Sequence, residues 1–257
     1  MTEPSPITSK DNPLIKQLRL LASDSTAYRK IGRVWLEGDH LCRALLDRGQ
    51  VPEIAVFTES HWPQADERLR RAAPVVHTVP DRLMSTVSGL ESPAGMGFVW
   101  RLPEAPTLLS DVPTVVLDRL QDAGNVGSVL RSAAAFGFRQ VLALRGTAAL
   151  WSPKVVRAGM GAHFGLRLIE SLSVEDLQGL QVPLVLTSSH QGDWLHQTQL
   201  PWPCAWVLGH EGQGVGEALA ERASRWVRIG QPGGEESLNV AAAAAICLHA
   251  SALASQL

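Results

Sequence analysis

Short, continuous runs of apolar residues mark the second half of the chain. Five of them, starting at residues 114, 140, 183, 204 and 225, read TVVLD, QVLALR, PLVLTS, CAWVLG and RWVRIG. Such runs suit strands buried on both faces, as in a parallel sheet covered by helices. Stretches with helical spacing lie between them, at residues 126–137, 153–162, 174–180, 215–223 and 239–252. This alternation predicts a doubly wound α/β domain.

The first hundred residues alternate in a similar way. Helical spacing is found in NPLIKQLRLLA and DHLCRALLDRG, and strand-like runs are RVWLEG, EIAVFT, PVVHTV and GMGFVW. The proline-containing segment RLPEAPTLLSDVP, residues 101–113, is typical of a linker. We therefore expect a small α/β domain over residues 1–105 and a larger one over residues 106–257. The first dozen residues, rich in Pro, Ser and Thr, are expected to be poorly ordered.

Composition agrees with a soluble, cytoplasmic, globular protein. Hydrophobic residues make up 45% of the chain and charged ones 19%. Cys42, Cys204 and Cys247 include no close pair, and the histidines show no HExxH spacing, so neither a disulfide framework nor a metal site is expected. No signal-peptide pattern is present, and the apolar run at residues 240–248 is too short to span a bilayer.

Charge is unevenly distributed although the net charge is only −2. Six basic residues and no acidic one fall between Ala123 and Ile169, and the first 35 residues are also rich in Lys and Arg. Each stretch is compatible with an ordinary solvated face or with a surface that meets a polyanion. Charge alone leaves both interpretations open.

Three loops that follow predicted strands have unusual compositions: LDRLQDAGNVGSVLRS, LGHEGQGVGEAL and IGQPGGEESLNVAAAA. Ligands of open α/β sheets bind at the carboxyl ends of strands, where these loops begin. The loops contain no GxGxxG dinucleotide motif, and the chain has no GxxxxGK phosphate-binding loop and no GxSxG nucleophile elbow. Nucleotide hydrolysis and serine hydrolase chemistry are therefore not indicated.

The first of these loops continues into a helix with two distinct faces. Its apolar face consists of Val126, Val129, Leu130, Ala133 and Phe136. Arg131 lies on another face with Ser128 and Ala135, where it is either a solvated arginine or a functional one. Capping alone would explain Asn125, Ser237 and Asn239, and flexibility alone would explain the glycines of the second loop.

Taken together, the order and spacing of these motifs resemble one family. GN-x-G-x-x-x-R-S at 124–132, G-x-E-G-x-G at 209–214 and SLN-V at 237–240 resemble the three motifs of the SpoU (TrmH-like) RNA ribose 2′-O-methyltransferases of the SPOUT class. In residues 1–105, the segments SKDNPLIKQLRLLAS, RVWLEGDHLCRALL and ESPAGMGFVW resemble the small α/β, L30e-like domain that binds substrate RNA in many members. The resemblance implies a parallel sheet flanked by helices with a deep trefoil knot, a homodimer with the active site across its interface, and S-adenosylmethionine as methyl donor.

The resemblance also assigns roles to individual residues. The implied catalytic residues are Arg131, Asn125, Glu211, Ser237 and Asn239. The implied cofactor contacts, largely through the backbone, are Thr187, Leu208, Gly209, Gly214, Ile229, Leu238 and Asn239. The expected RNA contacts are Arg131, Arg157, Lys154, Lys16 and Arg29. No metal is implied.

The role of Arg131 has two alternatives. One proposal for the family makes this arginine the base that takes the ribose 2′-hydroxyl proton, since a neutral hydroxyl is a poor nucleophile. Arginine in general stays protonated, so Arg131 is equally suited to bind phosphate or to stabilise the developing alkoxide. Glu211 would then orient Arg131 or Asn125. Two departures from the family pattern are His210, where asparagine is common, and Gly159, where serine is common.

Two other functions compete with ribose methylation. A catalytically silent RNA-binding scaffold would be indicated by loss of Arg131 or of the cofactor loops, and both are retained. Methylation of a base or a protein is disfavoured because the arginine and the serine–asparagine pair resemble the ribose-modifying branch. Structured RNA is the expected substrate, and the two-domain layout favours ribosomal over transfer RNA.

Overall fold

A computed structural model of the chain describes residues 3–104, 106–188, 191–233 and 237–254. Its helices are α1 (Pro13–Ser23), α2 (Ala27–Ile31), α3 (Asp39–Asp47), α4 (Glu67–Arg70), α5 (Asp81–Met84), α6 (Ala123–Ala135), α7 (Pro153–Gly159), α8 (Glu217–Ala220) and α9 (Val240–Ala254). Its strands are β1 (Ser5–Pro6), β2 (Arg33–Glu37), β3 (Ile54–Thr58), β4 (Val75–Val79), β5 (Met96–Arg101), β6 (Thr114–Leu117), β7 (Gln140–Leu144), β8 (Arg167–Leu172), β9 (Leu184–Thr187), β10 (Asp193–Trp194), β11 (Ala205–Leu208) and β12 (Arg225–Arg228).

The described residues form two compact units. The first extends to Glu104 and includes the later segment Trp151–Phe164, and the second comprises the remaining described residues. The division after Glu104 falls inside the segment expected to be a linker, although its first residue, Arg101, is the last residue of β5. The division of the chain into two domains, residues 1–105 and 106–257, remains a prediction.

The first unit is built on a five-stranded sheet with the order β1-β4-β3-β5-β2. The β1, β4 and β3 strands are parallel, whereas β5 runs antiparallel to both β3 and β2. The expectation that the first dozen residues are poorly ordered is wrong for the part that the structure describes. Ser5 and Pro6 pair with β4, and the side chain of Ile7 is buried, because this short apolar segment completes the edge of the sheet.

Aromatic packing explains why Trp151–Phe164 belongs to the first unit. The Trp100 ring lies 5.7 Å from the Trp151 ring and 5.6 Å from the Phe164 ring, centroid to centroid. Ser152 caps helix α7, since its hydroxyl accepts the Val155 amide, and the helix begins with Pro153. The basic residues of α7 therefore lie in the first unit.

The second unit is built on a seven-stranded sheet with the order β10-β12-β9-β11-β6-β7-β8. All of its strand pairs are parallel. The predicted α/β class, with a parallel sheet flanked by helices, is confirmed. Sequence reasoning did not predict β8 and β10. The helix predicted at 174–180 is wrong, since Glu175–Gly179 forms a 3-10 turn.

Parallel strands bring the three motif loops to one edge of this sheet. Leu117 at the end of β6 pairs with Leu208 at the end of β11, and Thr187 at the end of β9 pairs with Val227 near the end of β12. The loops after these strands therefore leave the sheet side by side. This edge is where ligands bind in open parallel sheets.

Helices α6 and α9 pack against each other in the second unit. The predicted apolar face of α6 is confirmed at Val126, Val129, Leu130 and Ala133, which are fully buried. Phe136 is only half-buried and packs edge-to-face on His249 of α9. No helix within the described ranges has the length and apolar character needed to cross a membrane.

Candidate active site

The turn into α6 is capped by an aspartate, which leaves the nearby asparagine available for other contacts. The Asp122 carboxylate accepts the Asn125 backbone N–H at 2.7 Å and so fills the capping position. Asn125 is therefore not the cap of this helix. Its side chain points instead to the two other motif loops.

A chain of hydrogen bonds joins the three motifs. Asn239 Nδ2 donates to Asn125 Oδ1 at 3.0 Å, and Asn125 Nδ2 donates to Glu211 Oε1 at 3.3 Å. The Asn239 Oδ1 atom accepts the amides of Ala241 and Ala242 and thereby caps α9. Asn239 thus serves both as a helix cap and as a link to the first motif. The predicted catalytic residues Asn125, Glu211 and Asn239 lie together.

Glu211 is also held by backbone groups at the start of the first motif. Its carboxylate accepts the amides of Gln121 at 3.4 Å and Asp122 at 3.3 Å. Partial burial raises the pKa of Glu211, but these hydrogen bonds, together with those from its own amide and from Asn125, outweigh burial and lower the pKa below the ordinary value. Glu211 is therefore an ionised acceptor and not a proton donor at neutral pH.

The second motif is a tight, internally bonded turn. His210 and Gly214 exchange backbone hydrogen bonds at 3.0 and 2.8 Å, and a Cβ on Gly209 would overlap the backbone of Gly214 and Val215. Gly214 has a φ of +69°, which favours glycine. The His210 Nδ1 atom accepts the amides of Gly212 and Gln213. An asparagine oxygen commonly accepts such local amides, so the histidine preserves the turn.

Sequence reasoning missed two residues that brace this turn. Asp118 follows β6 and is buried, and its carboxylate accepts the Gly216 amide at 2.7 Å. Arg119 forms an ion pair with Asp118 and also donates to Gln213 Oε1 and the Gly214 carbonyl. Adjacent opposite charges directly after a buried strand are the sequence feature that could have indicated this brace.

Arg131 differs from Asn125, Glu211 and Asn239, which are joined by hydrogen bonds. It is exposed on α6, and it makes no hydrogen bond or ion pair within the described part of the chain. Asn125, Ser128 and Arg131 follow one another at three-residue steps, so each is a neighbour of the next on the helix surface. Arg131 therefore lies about 9 Å further along the axis of α6 than Asn125 and outside the residues that line the pocket described next, with its guanidinium available to a ligand.

A pocket of about 370 Å³ opens between the second and third motifs. Of the predicted cofactor contacts, its lining includes Thr187, Gly209, Gly214, Ile229, Leu238 and Asn239. Of the predicted catalytic residues, Glu211 and Ser237 also line it. Leu208 does not, since its side chain is buried in β11. The roles of these residues remain predictions.

Four of the five predicted RNA contacts lie in the first unit. Lys16 on α1 and Lys154 on α7 are exposed, Arg157 is half-buried, and the Arg29 guanidinium lies 5.6 Å from the centre of the Tyr28 ring. Helices α1 and α7 are in contact, so Lys16, Lys154 and Arg157 share one region. Gly159 lies so close to the His163 ring that a Cβ would overlap it, and a serine hydroxyl has no room there.

The family of the chain follows from sequence comparison. The profile of the SpoU rRNA Methylase family matches residues 113–249, which contain all three motifs and the pocket. The chain belongs to this family. The predicted family and the predicted enzyme class, an RNA methyltransferase, are therefore confirmed. The described residues contain no group of three or more His, Cys, Asp and Glu side chains that could hold a metal ion.

Full-length relatives agree with the family profile. An uncharacterized tRNA/rRNA methyltransferase of Synechocystis sp. is 33% identical over 95% of this chain and 92% of its own length. The 23S rRNA (guanosine(2553)-2′-O)-methyltransferase RlmP of Bacillus subtilis is 29% identical over 95% of this chain and 97% of its own. The crystal structure of an AdoMet-bound rRNA methyltransferase from Sinorhizobium meliloti covers 98% of both chains with a TM-score of 0.83 and 25% identity.

Proposed function

We propose that this protein transfers a methyl group from S-adenosylmethionine to a ribose 2′-hydroxyl of ribosomal RNA. The observation that carries this proposal is the hydrogen-bonded chain Asn239–Asn125–Glu211, two members of which line the pocket. Arg131, on the same helix as Asn125, has no hydrogen-bond or ion-pair partner among the described residues. The similarity to the ribose methyltransferase of Bacillus subtilis supports the 2′-hydroxyl and the ribosomal substrate. The cofactor bound in the Sinorhizobium meliloti structure supports the methyl donor.

The pocket fits this cofactor in size and chemistry. Small-molecule sites usually enclose about 300–1,000 Å³ and combine apolar walls with a few polar groups. Here Val215, Ile229, Leu238 and Val240 supply apolar surface, while Gly209 and Gly214 have no side chain to cover their backbone groups. When bound, S-adenosylmethionine supplies an electrophilic methyl group on a sulfonium.

Each of these polar residues of the three motifs then has a distinct task. Asn125 and Glu211 hold the first and second motifs in fixed register, because each is bonded to the other and to further groups. Asn239 fixes the start of α9 against them. Arg131, which is exposed, would approach the RNA and stabilise the oxygen of the reacting hydroxyl or bind an adjacent phosphate.

The first unit supplies a surface for the RNA. Lys154 and Arg157 have no hydrogen-bond or ion-pair partner among the described residues, and Lys16 pairs only with exposed Asp11 at 3.3 Å. Cations that are unpaired, or paired only with an exposed acid, are suited to contact phosphates, which position RNA without reading its sequence. These three side chains are the proposed phosphate contacts of the unit.

We further propose that the protein is a homodimer through α9. This helix contains no charged residue, and only part of its surface is covered within the chain, at Ala244, Cys247, Leu248 and Ser251. On the outer side, Ile246 and Leu253 are 41% and 51% exposed and lie seven residues apart, two turns along one face. A helix that is apolar all round is normally buried, so a second copy would cover this face.

Light scattering coupled to size-exclusion chromatography tests the dimer. We expect a dimer for the wild type and a monomer for Leu253→Lys, because a lysine cannot be buried unpaired at low cost. The matched control is Leu20→Lys, at a leucine that is 46% exposed on α1. Monomeric wild type, or equal effects of the two variants, would contradict the proposal.

Transfer of radiolabelled methyl groups to size-separated total RNA tests the function. The RNA would come from a strain that lacks this gene and therefore retains unmodified sites. We expect label in a large ribosomal RNA with the wild type and with Arg139→Ala, an exposed arginine outside the site, and none with Arg131→Ala. Label confined to transfer RNA would contradict the ribosomal assignment, and no label in any RNA would contradict the activity.

A further inference from the structure

An unpartnered acceptor lies at one end of the pocket. Gln231, in the loop after β12, lines the pocket, and its Oε1 atom is buried without a hydrogen bond from any described residue. Leaving a buried acceptor without a partner is costly because the group has lost its hydrogen bonds to water, so native proteins rarely do so. A bound ligand with a hydrogen-bond donor would satisfy this atom.

Strand order shows which end of the pocket Gln231 occupies. Glu211 follows β11, which adjoins β6, whereas Gln231 follows β12, two strands from β11 and three from β6. At about 4.8 Å per strand, β12 lies roughly 14 Å from β6. The reacting groups must lie near α6, where Asn125 and Arg131 are, so Gln231 is at the end of the pocket remote from the chemistry.

The lining of the pocket indicates which part of the cofactor reaches this end. Ile229, Leu238 and Val240 give the pocket apolar walls, which suit the faces of an aromatic base. None of the described lining residues is a lysine or arginine that could pair with a carboxylate, and the lining acid, Glu211, lies at the other end. The described lining near Gln231 therefore offers no cationic partner for the methionyl carboxylate.

We propose that the Gln231 side chain accepts a hydrogen bond from the exocyclic amino group of the adenine of S-adenosylmethionine and thereby selects adenine. This inference rests on the proposed function. The other cofactor contacts expected in this loop, at Ile229 and Leu238, are largely through the backbone. Gln231 would add a contact through its side chain. The amino group is the one donor on the adenine ring itself, and the Oε1 atom has lone pairs to receive it.

Calorimetric titration of the full-length protein with S-adenosylhomocysteine and with its 6-desamino analogue tests the proposal. We expect the wild type to bind the analogue about tenfold more weakly, as one lost hydrogen bond implies. Gln231→Leu should bind S-adenosylhomocysteine about tenfold more weakly than the wild type and should no longer distinguish the two ligands. Gln231→Glu keeps an acceptor and should keep the preference for adenine.

Controls separate this proposal from the proposed function. Gln197→Leu replaces an exposed glutamine outside the pocket and should bind both ligands as the wild type does. Wild-type protein that binds neither ligand would overturn the proposed function. Binding by Gln231→Leu that matches the wild type, or that is weakened equally for both ligands, would overturn the role of Gln231 alone. The same titrations can be made with analogues of S-adenosylhomocysteine altered in the ribose or in the α-amino group. If Gln231→Leu loses discrimination against those analogues but still discriminates against the 6-desamino analogue, Gln231 contacts another part of the ligand and the assignment to adenine is overturned.

Discussion

Two polar residues of the same helix are held very differently. Asn125, in the first turn of α6, is bonded on both sides, to Asn239 and to Glu211. Arg131, six residues later, is exposed and has no hydrogen-bond or ion-pair partner within the described ranges. Both residues belong to one motif, yet the fold fixes the first and leaves the second free.

We propose that this difference separates residues that position the motifs from a residue that contacts the substrate. Groups that hold loops in register must already be bonded in the folded chain, because catalytic sites depend on preorganised geometry. A group that meets RNA gains most if its hydrogen bonds are unused until the RNA arrives. We therefore expect Asn125 variants to change both stability and activity, and Arg131 variants to change activity alone.

The largest effect is expected for Arg131→Ala. Removing a group that stabilises a developing oxyanion lowers kcat by about 10²–10³-fold in other enzymes. Single-turnover methyl transfer should fall by this amount, while the melting temperature and the affinity for S-adenosylhomocysteine stay unchanged. A matched Arg139→Ala variant should be as active as the wild type. A lower melting temperature for Arg131→Ala would show that Arg131 has a structural role.

A smaller effect is expected for Asn125→Ala and Asn239→Ala, each of which should reduce the rate of methyl transfer by about tenfold. The double variant should lose little more activity than either single variant, because substitutions of residues that act as a unit do not have additive effects. Asn239→Ala should also cost about 1 kcal/mol of unfolding free energy, since it removes the cap of α9. Urea denaturation and single-turnover rates measure both effects. Fully additive activity losses would contradict a coupled pair.

A moderate effect is expected for Lys154→Ala combined with Arg157→Ala. Each phosphate contact that is lost lowers the slope of log affinity against log salt by about 0.7–0.9. Titration of the ribosomal RNA at several salt concentrations should show a shallower slope for the double variant, with weaker binding to all RNA sequences alike. An unchanged slope would show that these two residues do not contact phosphates.

The smallest effect is expected for the acid stability of Glu211→Gln. The pKa of Glu211 is lowered in the folded chain, so its ionised form stabilises the fold above its unfolded pKa of about 4.3. That contribution is lost as the pH falls through the lower, folded pKa. Urea unfolding should show the wild type as slightly more stable at neutral pH, with the difference closing below about pH 4. A difference that persists there would contradict a role for the carboxylate charge.

Much of the fold could be predicted because the parallel strands are apolar and uninterrupted. Five such runs correspond to β6, β7, β9, β11 and β12. The β8 strand has polar residues at Glu170 and Ser171, with a positive φ at the latter, and therefore lacks an apolar run. The β10 strand has only two residues, too few to show a pattern.

The site could be predicted as a set of residues but not as a set of contacts. Arg131, Asn125, Glu211 and Asn239 were found because their spacing matches a family, whereas their hydrogen bonds connect residues about ninety or more positions apart. The brace formed by Asp118 and Arg119 depends on the same long-range closure. The trefoil knot and the L30e-like nature of the first domain remain predictions.

The position of the transferred methyl group distinguishes ribose methylation from base methylation. Labelled RNA from the wild-type reaction would be hydrolysed with alkali and its products separated by size. A 2′-O-methyl group blocks cleavage at the next phosphate, so we expect label in an alkali-stable dinucleotide. Label recovered in mononucleotides would place the methyl group on a base and would contradict methylation of a ribose 2′-hydroxyl.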